Sequence, residues 1–286
     1  MKITITDIRQ AAKKCLVEAG TTNRRDQFKA FETAIAHETE SNSRWVLEQI
    51  HENARIARDE QLPLCDDTGI PHAIIHIGEE CDLPSGWLAA IQAGIIDGLR
   101  QLPGRPMAVR GNDIERVEQS CGLEEDPGML ELAPVITRSM PGDKFKLTVL
   151  MLGGGPEIRA RTRRIFHRRS ITNVLNEATG WLKEEIGSLG CTPSIVAMGI
   201  GRSQVEASAL MLEAMAEGDL EHQNELEQQV TAEMNTTDVG PLGLGGKITV
   251  LGCFLKIGPA RASGVRIVCA RPCCLVEPRR GTTVLG

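Results

Sequence analysis

The chain has 286 residues and a formal net charge of −6, with 41% hydrophobic and 24% charged residues. This composition is typical of a globular protein, and the negative charge argues against a nucleic-acid-binding role. No apolar run reaches the roughly 18–20 residues that a membrane-spanning helix needs, so we expect no membrane association.

Hydrophobic periodicity predicts an order of helices and strands along the chain. We expect helices at 5–20, 26–60, 85–101, 171–187, 203–217 and 220–235, and strands at 73–78, 131–139, 144–152, 194–198, 248–258 and 264–270. Helices and strands mix without strict alternation, which predicts a mixed α+β fold. We expect one compact domain over 1–286, with a helical N-terminal part over about 1–60.

The glycine-rich segment at 240–249 looks like a phosphate-binding loop, but its residue spacing does not fit that motif. GPLGLGGKIT (240–249) has Pro241 where a phosphate-binding loop needs its first glycine, and Ile248 where that loop needs Ser or Thr.

The segment 159–169 carries six arginines, for which a solvated helix face is the default and a partner surface the alternative. His72 and His76 alternate on a predicted strand, and we expect ordinary satisfied side chains there.

The nine cysteines form an odd, widely spaced set, and the N-terminus has no apolar signal core, so we expect a reducing cytoplasm. Cys65 lies in PLCDDTG (63–69), where two carboxylates raise the pKa of a thiol and disfavour a nucleophilic thiolate. A metal would hold the thiolate outright. Cys191 and the Cys273-Cys274 pair also stand beside glycine or proline at turns. They lack the close spacing of a zinc site and could meet only through folding. We expect the remaining cysteines to be structural: Cys15, Cys81, Cys121, Cys253 and Cys269.

Five segments, in order, resemble a known family. PLCDDTGIPHAIIHIG is similar to the CQDTG segment of class I, iron–sulfur-dependent fumarate hydratases and L(+)-tartrate dehydratases. KLTVLMLGGGPE resembles the strand before that family's GGGSE turn, and GCTPSIVAMGIG resembles its CPP…VGIGG segment. GPLGLGGKITVLGCFLKIGPARAS resembles its GPxGLGGKTT…HPAS loop, and CCLVEPRR its closing CWxxRR. The resemblance spans residues 5–280 and corresponds to the α region of these enzymes.

The resemblance implies a hydro-lyase that uses a 4Fe-4S iron–sulfur cluster as cofactor. Cys65, Cys191 and Cys274 would hold the cluster, with Cys273 the rival for the third position. One iron, left without a protein ligand, would act as a Lewis acid on a small dicarboxylate, fumarate/malate first and tartrate next.

The resemblance also implies substrate-binding residues. Asp67 would lie at the substrate and be catalytic, Arg110 would grip a carboxylate, and the backbone at Gly154 and Gly155 would approach the substrate. The catalytic base would come from a separate β subunit, and pairing of α chains would give a heterotetramer.

Three departures from the family pattern leave an alternative open. Asp66 replaces a glutamine, and the segments 111–127 and 158–169 differ from the family. A non-catalytic scaffold homologue, or an arginine-rich partner-binding protein, is therefore the rival hypothesis. Lys247 is equally compatible with substrate binding and with a loop end.

Overall fold

Over residues 2–286, the computed structural model contains nine α-helices, eight β-strands and two short 3₁₀ turns, Pro127–Leu130 and Pro241–Gly243. The helices are α1 Ile5–Thr21, α2 Arg25–His37, α3 Ser41–Glu60, α4 Trp87–Gln101, α5 Asp113–Glu118, α6 Gly154–Glu157, α7 Ile171–Ile186, α8 Gln204–Glu217 and α9 Glu225–Met234. The strands are β1 Ile70–Gly78, β2 Ile136–Met140, β3 Phe145–Leu152, β4 Arg161–Phe166, β5 Ser194–Gly201, β6 Val250–Ile257, β7 Val265–Pro272 and β8 Arg279–Leu285.

The predicted mixed α+β class is confirmed, because each of two four-stranded sheets combines parallel and antiparallel pairs. The chain divides into two compact units. The first comprises residues up to Asn23 together with Ala54–Gly154 and Arg279–Gly286, and the second comprises Arg24–Asn53 and Gly155–Pro278.

The first unit is built on the sheet β2-β1-β3-β8. Strands β1 and β2 run parallel, and β3 pairs antiparallel with both β1 and β8. Helices α1 and α4 pack on each other and α1 packs on the sheet, with a core that includes Ile8, Leu16, Ile91 and Phe145. The pairing of Ile70 with Leu152 brings the start of β1 to the end of β3.

The second unit is built on the sheet β4-β7-β5-β6, in which β5 and β6 run parallel. Every residue of β5 is buried, as a continuous apolar strand covered on both faces requires. Helices α7 and α8 pack on this sheet, and its core includes Leu182, Val196, Met198 and Val268.

The helix predicted over 26–60 is interrupted at Glu38. The backbone of Glu38 is extended (φ −73°, ψ 131°) and ends α2. Its carboxylate accepts the N–H groups of Thr39 and Glu40 at 2.7 and 3.0 Å, which satisfies donors that a continuing helix would have used.

The central part of the arginine-rich segment 159–169 is a strand and not a helix face. Residues Arg161–Phe166 form β4, the edge strand beside β7. Charged side chains on an edge strand disfavour pairing with a further strand, which is a physical reason for arginines at this position.

Across residues 2–286, no helix combines the length and the apolar character needed to cross a lipid bilayer.

Candidate functional site

Asp67 joins two turns of the first unit that the sequence singled out. Its Oδ1 accepts the N–H of Gly69 at 3.0 Å, and its Oδ2 accepts the N–H of Gly154 at 2.9 Å. The two turns meet because β1 begins where β3 ends. Asp67 and Gly154, predicted at one site, are therefore brought together. A Cβ on Gly154 or Gly155 would meet no heavy atom within 4 Å, so the described chain gives no steric reason for either glycine.

A buried arginine lies beside this aspartate turn. The Arg279 side chain is 2% exposed, and it donates from Nε to the Met151 carbonyl (3.1 Å) and from Nη1 to the Asp67 carbonyl (2.9 Å). Gly69 has a φ of +78°, and a Cβ there would lie 2.3 Å from Nη2 of Arg279. Glycine is therefore required both by the backbone conformation and by the approach of the guanidinium.

Arg279 also supplies a positive charge near Cys65, where the sequence shows only two carboxylates that disfavour a thiolate. Burial raises the pKa of the half-buried Cys65 thiol, and the charge of Asp66 adds to this effect. The backbone N–H of Asp67 and the positive charge of Arg279 act in the opposite direction. The thiol therefore has a cationic neighbour that would favour a bound thiolate.

A second arginine, which the sequence did not single out, neutralises Asp66. Arg105 Nη1 lies 3.5 Å from Asp66 Oδ2, and both side chains are exposed. Thr68 fixes the loop that carries Arg105, because its hydroxyl donates to the Arg105 carbonyl at 2.7 Å. The Asp66 oxygen Oδ1 is 3.5 Å from the Cys65 sulfur. The charge added by Asp66 at this turn is thus offset locally.

Arg110 has contacts of its own outside the aspartate turn. Its Nη2 donates to the Leu123 carbonyl at 3.0 Å, and its Nε lies 3.7 Å from Glu124 Oε2. Within residues 2–286, Arg110 makes no hydrogen bond or ion pair with residues 65–69. The guanidinium is about half exposed, so donors remain open to solvent.

In the second unit, the segments around Cys191 and Cys274 lie against each other. The N–H of Leu275 donates to the Cys191 carbonyl at 2.9 Å, and the N–H of Cys273 donates to Ile195 at 2.9 Å. The loop at 238–247 joins them, since Thr192 donates to the carbonyl of Gly240 at 2.5 Å. Three segments that the sequence singled out therefore converge here.

The two neighbouring cysteines at 273 and 274 differ in environment. Cys273 is fully buried, its sulfur is 3.6 Å from the sulfur of Met215, and burial raises the pKa of its thiol to about 12. Cys274 is 9% exposed and Cys191 is exposed.

Glu38 is a second residue that sequence reasoning missed. Its carboxylate, 3% exposed, accepts the N–H groups of Lys247 and Ile248 at 2.9 and 3.3 Å in addition to those next to it in sequence. Burial opposes its ionisation, but four backbone N–H groups outweigh burial and lower the pKa of Glu38. Gly246 has a φ of +106°, and a Cβ there would lie 2.6 Å from this carboxylate. Glu38 thereby fixes the loop at 238–247, called the glycine loop below. The Lys247 side chain is exposed.

The other predicted features are placed as follows. Cys15, Cys253 and Cys269 are buried, as expected for structural residues, whereas Cys121 is exposed. Across residues 2–286, no three His, Cys, Asp or Glu side chains are grouped so that they could hold one metal ion.

Comparison with known proteins places this geometry in context. A family model described as fumarate hydratase (Fumerase) matches residues 9–284. The chain is 26% identical over 252 residues to a Methanocaldococcus jannaschii protein provisionally named L(+)-tartrate dehydratase subunit alpha, with 85% of each chain covered. It is 24% identical over 258 residues to proteins named L(+)-tartrate dehydratase subunit alpha from Escherichia coli and Shigella boydii, with 87% of this chain and 80% of each relative covered.

Proposed function

Because the chain belongs to the fumarate hydratase (Fumerase) family, we propose that it is the α subunit of a hydro-lyase acting on a small dicarboxylate. The match covers nearly the whole chain, and the relatives compared above are named as dehydratase α subunits. We propose fumarate/malate and L(+)-tartrate as the two candidate substrate pairs, since the family description names the first and the relatives the second.

The observation that carries this proposal is the pair of hydrogen bonds made by Asp67. Each of its oxygens accepts one backbone N–H, so each keeps a lone pair for a further donor. A carboxylate fixed in this way is suited to hold a substrate hydroxyl or to carry a proton at Oδ2. The bare backbone at Gly154 and Gly155 leaves space for the substrate beside it.

We further propose that Cys65, Cys191 and Cys274 hold a four-iron–four-sulfur cluster. Each thiolate would bind a different iron, so these side chains need not converge on one ion. The contact between the Cys191 and Leu275 segments supports the last two assignments, and the charge of Arg279 supports the first. When bound, the cluster would supply a Lewis acid for the carbon–oxygen bond of the substrate.

The residues of this chain would divide the remaining work. Arg110 has donors open to solvent, and a planar guanidinium binds a carboxylate through two parallel hydrogen bonds. Asp66 and Arg105 leave the turn locally neutral, so a dianionic substrate is not repelled there.

The base that removes a proton from the substrate carbon is proposed to lie on a separate β subunit, since the relatives are named as α subunits. Pairing of α chains into a heterotetramer is part of the same proposal. So is a reducing, cytoplasmic setting, which the nine free cysteines support.

The test is an anaerobic assay of this chain together with its β partner against a panel of hydroxy-diacids. We expect turnover of malate or L(+)-tartrate only when both chains and reconstituted cluster are present. A reconstituted pair that binds iron and sulfide but turns over no diacid would favour the scaffold homologue instead.

A further inference from the structure

Most arginines of the segment 159–169 have partners, but the proposed function uses none of them. Arg161 is paired with Glu184 at 2.8 Å, and Arg163 lies over the Trp181 ring at 5.3 Å from its centroid. The two arginines at 168–169 differ, because nothing in the described chain binds their guanidinium groups.

Arg168 and Arg169 are held in an unfavourable backbone conformation, with φ values of 47° and 58°. His167 holds this turn, since its Nδ1 accepts the N–H of Arg169 at 3.0 Å. Its Nε2 must then carry the proton and donates to the Ser263 carbonyl at 2.8 Å. The turn is thereby tied to the loop before β7. Strain of this kind persists where the surroundings hold it in place, and it is common at binding sites.

One cavity of the second unit opens at this turn, and a second cavity adjoins it, because Arg266 lines both. One, of about 280 Å³, is lined by Arg202, Arg261 and Arg266 together with small and apolar residues. The other, of about 200 Å³, is lined by His167, Arg169 and Arg266 together with apolar side chains. Four guanidinium groups therefore surround two adjoining spaces.

The positive charge of these cavities is poorly compensated. No carboxylate of residues 2–286 lines either space. Arg202 is bound to Glu206 at 2.5 Å, but the guanidinium groups of Arg261 and Arg169 have no partner in the described chain. Arg266 donates from Nη1 to two nearby backbone carbonyls at 3.3 and 2.9 Å, which aims it without neutralising it.

The two arginine-lined cavities are separate from the turn at Cys191 in the same unit. Gly201, which lines the larger one, ends β5, whereas Cys191 precedes the first residue of β5. At about 3.3 Å per residue, the seven steps of this strand hold its two ends roughly 23 Å apart.

We propose that the two cavities form one binding site for a small anion with at least two negative groups, phosphate or carboxylate. One group would lie between Arg202, Arg261 and Arg266, and the other between Arg266 and Arg169. Guanidinium groups in partly enclosed sites recognise both kinds of oxyanion through paired hydrogen bonds.

The test is isothermal titration of the purified full-length chain with pyrophosphate and, separately, with citrate at low ionic strength. We expect saturable binding of one anion per chain with a Kd of about 1 mM or tighter for at least one of them. The two arms distinguish a phosphate ligand from a carboxylate ligand.

Arg261→Gln is the decisive variant, because within residues 2–286 the Arg261 side chain makes no hydrogen bond or ion pair whose loss could disturb folding. We expect it to weaken binding about tenfold, and Arg266→Gln to weaken it at least as much. Arg164→Gln is the matched control, since it removes the same charge from β4 outside both cavities. It should leave the Kd within about twofold.

Absence of saturable binding of both anions would overturn the proposal, as would equal losses in Arg261→Gln and Arg164→Gln. Binding of a single-stranded RNA that pyrophosphate cannot displace would also overturn it, in favour of a nucleic-acid surface.

Discussion

At the scale of single residues, the site depends on charges placed next to one another. Asp66 adds a negative charge at the turn, and Arg105 lies 3.5 Å away to offset it. Because both side chains are exposed, their mutual interaction is weak, but their field still acts on an anion bound beside them.

A first prediction concerns this pair. Asp66→Gln should leave Arg105 unpaired and lower the KM for a dicarboxylate up to about fivefold, whereas Arg105→Gln should raise it by a similar factor. The double variant should return close to the wild-type KM, with kcat little changed throughout. A double-mutant cycle of steady-state kinetics measures this. Equal effects on kcat in both single variants would show that the pair acts in positioning rather than by charge.

A second prediction separates the neighbouring cysteines. Cys274→Ala should lower the iron and acid-labile sulfide retained after anaerobic reconstitution, because a proposed cluster ligand is lost. Cys273→Ala should keep both and cost only stability, on the order of 1 kcal/mol for a small buried cavity. Retention of the cluster in Cys274→Ala and its loss in Cys273→Ala would reverse the assignment.

At the scale of elements, the glycine loop owes its shape to one carboxylate. Glu38 lies between α2 and α3. Its carboxylate binds the backbone N–H of Thr39, next to it in sequence, and that of Lys247 in the distant loop. Without this acceptor, buried donors of the loop would be left unsatisfied.

A third prediction follows from that contact. Glu38→Gln should lower the free energy of unfolding by about 1–3 kcal/mol, since an amide replaces one accepting oxygen with a donor. Glu40→Gln, at an exposed position, is the control and should change it by less than about 0.5 kcal/mol. The pKa of Glu38 is lowered by folding, so its contribution is full above about pH 4.3 and is lost as the pH falls through the lower folded value. Denaturant titrations at several pH values measure this, and a difference that grows on acidification would contradict it.

A fourth prediction concerns the end of β7. Arg271 and Glu277 are both fully buried and lie 2.9 Å apart, and Arg271 also contacts Glu157 at 2.7 Å. Arg271→Met should cost about 3–5 kcal/mol, because it leaves the Glu277 carboxylate buried without its cation. The double variant Arg271→Met/Glu277→Leu should recover much of that loss. Urea unfolding tests this, and additive losses in the double variant would show that the two side chains act independently.

At the scale of the whole molecule, the thiols divide into protected and accessible groups. Cys15 packs against the sheet of the first unit, and burial raises the pKa of its thiol to about 11. Cys253 is buried in the second unit, and burial raises the pKa of its thiol well above the ordinary value. Cys121 and Cys191 are exposed.

A fifth prediction uses this division. Alkylation of the native, cluster-free protein at pH 8 should modify Cys121 and Cys191 within minutes and leave Cys15 and Cys253 unmodified. A thiol with a raised pKa stays protonated at this pH and is shielded as well. Peptide mass mapping reads the pattern, with denatured protein as the control. Rapid modification of Cys15 would mean that α1 opens from the sheet on that timescale.

The sequence predicts the fold best where the pattern is local. The apolar run of β3 and the periodicity of α1 are both read correctly, because each buries a regular face. The break at Glu38 is missed because its carboxylate is held not only by the neighbouring N–H groups but also by N–H groups about 200 residues away, which a local pattern does not reveal. β4 is misread as helical because its arginines hide the alternation of an edge strand.

The same distinction holds for the candidate site. Asp67 and Gly154 are found through a resemblance in short motifs, and the structure then shows their hydrogen bond. Arg105 escapes such reasoning, since no motif contains it and only folding brings its loop to Asp66. The unexpected charge of Asp66 is the signal in the sequence that could have indicated Arg105, since such a charge calls for a cation nearby.

The side chain of Arg279 has a bearing on the order in which the molecule can mature. Its Nη1 donates to the carbonyl of Asp67, 212 positions earlier in the chain, and Arg279 is the first residue of β8. A nascent chain that has emerged from the ribosome only as far as β3 cannot yet form this hydrogen bond. The thiol at position 65 therefore acquires its cationic neighbour only after β8 is synthesised and docked, so delivery of the proposed cluster should follow the docking of β8 rather than precede it.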